Sequence, residues 1–274
     1  MRPTHAAACT TLMAVCTVLG CAIVWDEFNA RSLAALTLLK PIAFKRFAPG
    51  RFALVTLLTS DPDGLSAGAC KIARQTRRMT NVDLVMLTLQ HHPAMAACGW
   101  RQVVVKPIDN PDPNDQSAYA IGKIYTKLHI WNLTQYERLL YVDLDTLPVA
   151  QFAGVFEQRL IGCQDVAMVV DAGRMDYFNA GVILIAPNKD LFEWLVGNVT
   201  LIPHDSQLAE QNYLNTYFKG HICTLPKKYN AIVADRMHFP PNVAIIHYTN
   251  IKVHHRFASW WKGLNDLVAM WDFA

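Results

Sequence analysis

Two aspartates one residue apart, Asp143-Leu144-Asp145, follow directly on the apolar run Arg138-Leu-Leu-Tyr-Val142. Carboxylates that close repel strongly in an apolar setting unless a cation separates them. A divalent ion shared by both would resolve the repulsion, and one that also bridged to a diphosphate would stabilise its departure. An aspartate pair in a solvated turn has the same spelling, so the motif gains weight only from its companions. His247 is one: it ends a second apolar run, Val243-Ala-Ile-Ile246. Oxygen ligands joined by one imidazole favour manganese over calcium or magnesium. Taken alone, a histidine in such a place is more often a satisfied polar group.

Other polar residues stand where the same chemistry could use them. Asn179 lies in Phe178-Asn-Ala-Gly181, read as a turn where a short amide can hold hydroxyls beside a closely approaching backbone. Lys127 is either a solvated helix lysine or a cation aimed at a phosphate, where it would offset leaving-group charge. Glu210-Gln211 opens a helical stretch and is either its exposed face or part of a site. Asp171 follows the apolar run 166 to 170.

The elements that must position these residues are legible as apolar runs. Phe52 to Leu58 is continuous and of strand length, closed by Thr59-Ser-Asp-Pro-Asp-Gly64. Such runs suit strands buried on both faces of a parallel sheet. Asp83 to Leu89, Gln102 to Lys106, Arg138 to Val142, Val166 to Val170, Val182 to Ile185 and Val243 to Ile246 read as further strands. Helices are expected over Ser66 to Arg77, Ala118 to Gln135, Asp190 to Val199 and Gln207 to Tyr217. Strands alternating with helices predict an α/β fold built on right-handed βαβ crossovers. Open sheets of this kind bind ligands at the carboxyl ends of their strands, where Asp143 and Asp145 stand.

The chain has 274 residues, 52% apolar and 17% charged, with a net charge of +3. That is a globular composition with ample core, and its basic residues form no run that points to nucleic acid. Ala6 to Trp25 carries no charge and as a helix would cover about 30 Å, a bilayer's hydrocarbon thickness. The expected organisation is therefore a membrane anchor (or signal sequence) over 1–25, a short stem over 26–50 and a catalytic domain over 51–274. A cleaved signal peptide and a lipoprotein signal ending at Cys21 are the competing readings of the first segment. Outside it, Cys70, Cys98, Cys163 and Cys223 form no CxxC pair and read as buried free thiols rather than a zinc site. The aromatic segment Phe257 to Phe273 reads as a helix closing the core.

Five blocks taken together resemble glycosyltransferase family 8, of the glycogenin and galactinol synthase kind, across about residues 51 to 250. They are Val55-Thr-Leu-Leu-Thr-Ser-Asp61, Tyr125-Thr-Lys-Leu-His-Ile-Trp131, Leu140-Tyr-Val-Asp-Leu-Asp-Thr146, Phe178-Asn-Ala-Gly181 and Ala209-Glu-Gln-Asn-Tyr-Leu-Asn215, closed by His247-Tyr248. The resemblance implies a GT-A type, Rossmann-like nucleotide-sugar-binding domain with a mostly parallel central sheet, preceded here by one hydrophobic helix. It implies a divalent cation, Mn2+ by preference, and transfer of a hexosyl unit from a UDP-sugar with retention. The acceptor would be a carbohydrate, polyol or protein. A homodimer is compatible with it, and a lumenal, Golgi-type placement of the domain follows from it.

By the same resemblance Asp143, Asp145 and His247 are the metal ligands. Leu57, Thr59 and Ser60 match the loop that holds uracil and ribose. Asp171, Asn179 and Gln211 match polar residues around the donor sugar, and Lys127 a basic residue near the diphosphate. Glu210 sits where glycogenin has Asp, and is expected closest to the reaction, with Asp171 orienting the sugar. The chain departs from the pattern twice. The Lys-Pro-Trp clamp after the histidine is missing, with Lys252 the displaced candidate, and Asp63 replaces a base-stacking tyrosine. Two alternatives stand beside this reading. One is a binder of nucleotide-sugar without turnover on the same fold. The other is a metal-dependent phosphohydrolase, whose motif needs Thr or Val at the place of Leu147.

Overall fold

A run of apolar residues with no polar alternation has no face to give to water, and Phe52–Leu58 (β1) is buried at every position. The computed structural model of the chain describes residues 43–59, 65–112, 123–171, 176–204, 208–232 and 242–248. Within them the order is β1, α1 (Leu65–Met79), β2 (Asp83–Thr88), α2 (Pro93–Ala97), β3 (Arg101–Val104), a 3-10 helix (Ile124–Asn132), β4 (Arg138–Val142) and β5 (Thr146–Pro148). After a second 3-10 turn at Ala153–Glu157 come β6 (Val166–Val170), β7 (Phe178–Ile185), α3 (Lys189–Asn198), α4 (Ala209–Tyr217), β8 (Cys223–Thr224), β9 (Ala231–Ile232) and β10 (Ile245–His247).

The main sheet has seven strands in the order β3-β2-β1-β4-β7-β6-β8. β1 runs parallel to β2 and β4, β2 to β3, and β6 to β8; only β7 is antiparallel to its neighbours. The mostly parallel sheet is what the continuous apolar runs imply, and the α/β architecture is the GT-A-like one that the resemblance leads one to expect. A small second sheet, β5-β10-β9, sits just past the end of β4. In it His247 pairs directly with Thr146 in antiparallel register.

Local chemistry fixes the helices. α3 is capped by Asn188, whose side-chain oxygen accepts from the Leu191 N–H at 2.9 Å. α1 carries Arg77 and Arg78 in its last turn, where cations offset the helix dipole. Gly68 lets α1 lie close to the turn after β4, because a Cβ there would meet the Leu144 carbonyl at 2.9 Å.

Several expectations need correction. The stretch read as a helix over 118 to 135 is a 3-10 helix in its described part. Tyr125, Thr126, Lys127, Leu128, Ile130 and Trp131 in it are all buried, so packing rather than an amphipathic period sets its geometry. Phe178-Asn-Ala-Gly181 is not a turn but the first half of β7. The cysteines read as free thiols form two disulfides, Cys70–Cys98 and Cys163–Cys223. The first ties α1 to the end of α2, the second joins the segment before β6 to β8.

The expected hydrophobic helix over 1–25, residues 26–42 of the expected stem over 26–50, and the aromatic segment 257 to 273 lie outside the described residues. Among the described residues no helix is long and apolar enough to cross a membrane. Their longest, α1 with 15 residues, would reach about 22 Å, and its sequence includes Lys71, Arg74, Arg77 and Arg78. On that finding the expectation of a single-pass membrane protein is withdrawn.

Candidate active site

Where β4 ends, the chain turns through Asp143-Leu144-Asp145 into β5, and the backbone of this turn is held from three sides. The Asp143 N–H donates to the Gly181 carbonyl at 2.8 Å, the Thr146 hydroxyl to the Asp143 carbonyl at 2.7 Å, and the Tyr248 N–H to the Asp145 carbonyl at 2.9 Å. β10 thus brings His247 to the turn through main-chain pairing, which is insensitive to the side chains around it.

The result is a cluster. Ligand atoms of Asp143, Asp145 and His247 all lie within 4.8 Å of one another. His247 Nε2 is 3.4 Å from Asp145 Oδ1 and 3.9 Å from Asp143 Oδ2. Asp145 and His247 are buried, whereas Asp143 keeps partial exposure. Gly181 makes room for the imidazole: a Cβ at that position would stand 2.0 Å from His247 Cε1, so no side chain fits there. Two hard carboxylates and one imidazole nitrogen, with ligand atoms this close together and one carboxylate partly exposed, fit a divalent cation.

Beside this cluster lies a buried ion-pair system that the sequence did not announce. Lys127 is 1% exposed, and its ammonium donates to Glu210 and, at 3.1 Å, to the Ala180 carbonyl. The same ammonium is 3.2 Å from Asp143 Oδ1 and sits 4.7 Å from the centre of the Tyr141 ring. Burial works against its charge, but Asp143 and Glu210 outweigh burial and raise its pKa above the ordinary value. Burial also pushes the Glu210 carboxyl up, with Lys127 pulling the other way. The pair therefore shares one internal charge balance with Asp143. Tyr141 completes it, its hydroxyl donating to Asp143 Oδ1 at 2.8 Å.

Glu210 opens α4 behind Ala209, a residue held at φ +44, in the left-handed region that costs about 1–3 kcal/mol for a side-chain-bearing residue. The amides of α4 then take up the backbone of β7. Gln211 Oε1 accepts from the Ala180 N–H at 2.9 Å and Asn215 Oδ1 from the Phe178 N–H at 2.7 Å. Gln211 Nε2 also donates to Asp171 Oδ2 at 3.0 Å. This stretch of β7 needs such partners because its pairing with β6 is irregular. One step along β6, from Met168 to Val169, corresponds to the step from Ile183 to Asn179 along β7. The extra residues, Ala180 to Val182, bow out toward the end of β4.

Of the residues singled out in the sequence, the structure gathers Asp143, Asp145, His247, Lys127 and Glu210 into one connected group. Gln211, Asp171 and Asn179 line up along β7 next to it. Leu57 stands near the end of β1 on the flank of β4, and Thr59 directly follows the strand. Leu57 lies two residues beyond Val55, whose partner Tyr141 lies two residues before Asp143. Ser60, Asp63 and Lys252 lie outside the described residues. Sequence reasoning missed Asn230, which is 2% exposed and accepts from His247 Nδ1 at 2.9 Å, and the hydroxyl of Tyr141. Asn230 follows Lys227-Lys-Tyr in a short 3-10 turn and has no local motif that marks it.

Residues 94–253 match the family model described as glycosyl transferase family 8. A glycogenin of Komagataella phaffii is 30% identical over 182 residues, covering 61% of this chain and 44% of that protein. Galactinol synthase 1 of Arabidopsis thaliana is 25% identical over 262 residues, covering 80% of this chain and 75% of that one. Against the glycogenins, the chain spans about half of the relative's length. Among solved structures, an active-site mutant of LgtC superposes with a TM-score of 0.60 at 19% identity, over 80% of this chain and 95% of the other. That likeness is one of fold.

Proposed function

We propose, since this chain belongs to glycosyltransferase family 8, that it transfers a hexosyl unit from a UDP-sugar to a carbohydrate, polyol or protein acceptor with retention at the anomeric carbon. The observation that carries the reading is the convergence of Asp143, Asp145 and His247 within 4.8 Å at the end of a central strand. Those three would hold a divalent cation, Mn2+ by preference, whose Lewis acidity favours departure of the diphosphate.

The chain's own residues supply the rest. Lys127 opposes the burial of Glu210 and favours its ionised form, because its ammonium donates directly to that carboxylate. Glu210 is the group assigned nearest the reacting carbon. Retention requires either a covalent sugar on a carboxylate or departure and attack on one face, and Glu210 serves either route. The Gln211 amide and the Asp171 carboxylate are already joined to each other and to β7, which fixes them for donor-sugar hydroxyls. Leu57, Thr59, Ser60 and Asn179 complete the donor side, and Lys252 substitutes for the missing clamp on the diphosphate. Groups held in advance by hydrogen bonds lose little entropy when the donor arrives.

A screen of UDP release from individual UDP-sugars, with Mn2+ present, tests the reading. Turnover with at least one donor, lost in excess chelator and in Asp145→Asn, is the expected result. Full turnover in chelator would remove the assignment of the three ligands. UDP binding without turnover for any donor would leave a nucleotide-sugar binder on the same fold.

A further inference from the structure

The hydrogen-bond chain behind His247 fixes which of its nitrogens faces the carboxylates. It starts from a group whose role is not open to choice. The Gly181 backbone N–H can only donate, and its partner at 3.0 Å is the side chain of Asn179, so the atom there is the amide oxygen. That oxygen cannot donate. The side chain of Asn230 that meets it at 2.9 Å therefore presents its NH2 group. Asn230 has then only its oxygen left for the contact with His247 Nδ1, also 2.9 Å. An oxygen accepts, so Nδ1 carries the hydrogen. In the neutral ring the lone pair falls on Nε2, the atom 3.4 Å from Asp145.

All three side chains are buried: Asn179 is 7% exposed, Asn230 2% and His247 3%. Reversing the Asn179 amide would set like against like at two contacts, and reversing Asn230 would set its oxygen against the Asn179 oxygen, each such contact costing about 1–3 kcal/mol.

We infer that Asn230 and Asn179 are positioning residues that hold His247 as its Nδ1–H tautomer, with Nε2 directed at the cation site. The inference rests on the metal reading for its purpose, but the tautomer itself does not depend on it. Gly181 contributes twice, through the N–H that sets the polarity of the chain and through the missing Cβ that admits the ring. Partners that orient a ligating imidazole in this way typically contribute 10- to 100-fold in metal affinity.

The test has two readouts on the full chain. The first is 15N NMR of the imidazole in metal-free protein at neutral pH, with His247 assigned by difference against His247→Gln. The wild type is expected as the Nδ1–H tautomer, and Asn179→Asp as well, because a carboxylate still accepts from Gly181 and Asn230. Asn230→Leu is expected to shift His247 to the Nε2–H form, with Asp145 as acceptor. The second is Mn2+ binding by titration calorimetry, where Asn230→Leu is expected to lose 10- to 100-fold and Asn179→Asp to stay within a few-fold of wild type. An Nε2–H ring in the wild type overturns the inference, and that measurement needs no variant that might misfold. Unchanged Mn2+ affinity in a folded Asn230→Leu also overturns it. Absence of Mn2+ binding in the wild type, with the Nδ1–H tautomer intact, would instead count against the metal reading.

Discussion

Replacing Lys127 with methionine removes a charge from the most buried ion pair of the site while nearly preserving shape. Lys127 and Glu210 expose 1% and 6% of their side chains, so the carboxylate left behind has little water to turn to. Breaking a buried pair by deleting one partner costs about 3–5 kcal/mol. Set against a typical total of roughly 5–15 kcal/mol, that is a large share of the stability. Glu210 loses the ammonium that pairs with it, and Asp143 loses the same cation at 3.2 Å while keeping the Tyr141 hydroxyl. The double variant Lys127→Met with Glu210→Gln removes both charges and should recover about 2–3 kcal/mol of the deficit. Urea unfolding in excess chelator, so that metal linkage does not contribute, compares Lys127→Met, Glu210→Gln, the double variant and wild type. The deficit also has a pH signature. In Lys127→Met the Glu210 carboxyl is pushed up by burial with no ammonium to oppose it. A carboxyl with a raised folded pKa binds its proton more readily folded than unfolded, so the penalty grows as pH rises and shrinks toward about pH 5. A loss below about 1 kcal/mol at pH 7.5, or a deficit independent of pH between about 5 and 7.5, would refute the internal charge balance.

Other expectations follow from the same geometry. Gly181→Ala should keep the fold but displace His247, since the added Cβ would stand 2.0 Å from Cε1, and lower Mn2+ affinity 10- to 100-fold by calorimetry. Asp145→Asn should abolish metal-dependent turnover in a UDP-release assay, at a cost of several kcal/mol of leaving-group stabilisation. Glu210→Gln should lower turnover at least about a hundredfold with little change in donor affinity, because only the reacting step needs the charge; near-normal turnover would move the role elsewhere. Cys163→Ser together with Cys223→Ser, which opens a loop of 60 residues, should cost about 2–4 kcal/mol in thermal or urea unfolding.

The parts of this fold that the sequence displays are those whose physics is local. β1, β2, β4 and β6 are buried on both faces, so their runs are largely apolar and stand out from the turns that bound them. Thr146–Pro148, Cys223–Thr224 and Ala231–Ile232 are too short to carry a period, and they exist because of partners distant in the chain. The first half of β7 reads as a turn because its asparagine and glycine are turn residues elsewhere; here they answer to α4, His247 and the bulge that β7 makes against β6. Cysteine spacing leaves pairing open, and only the packing of α1 on α2 decides Cys70–Cys98.

The same division runs through the site. Asp143, Asp145 and His247 are visible because each ends an apolar run, where a strand's carboxyl end must lie. The burial of Lys127 is not visible, since nothing in Tyr125 to Trp131 distinguishes an interior lysine from one on a wet helix face. Asn230 is hidden for a different reason: its significance lies wholly in its contacts with Asn179 and His247, neither of which is near it in sequence.

A proton NMR time course tests metal-dependent retaining transfer from a UDP-sugar. The protein is mixed with the best UDP-sugar from the donor screen, and the anomeric proton of the first sugar product is followed with Mn2+ and with excess chelator. The donor is expected to be consumed only with Mn2+, and the first product to keep the donor's anomeric configuration. A first product of inverted configuration, or equal consumption in chelator, would contradict it.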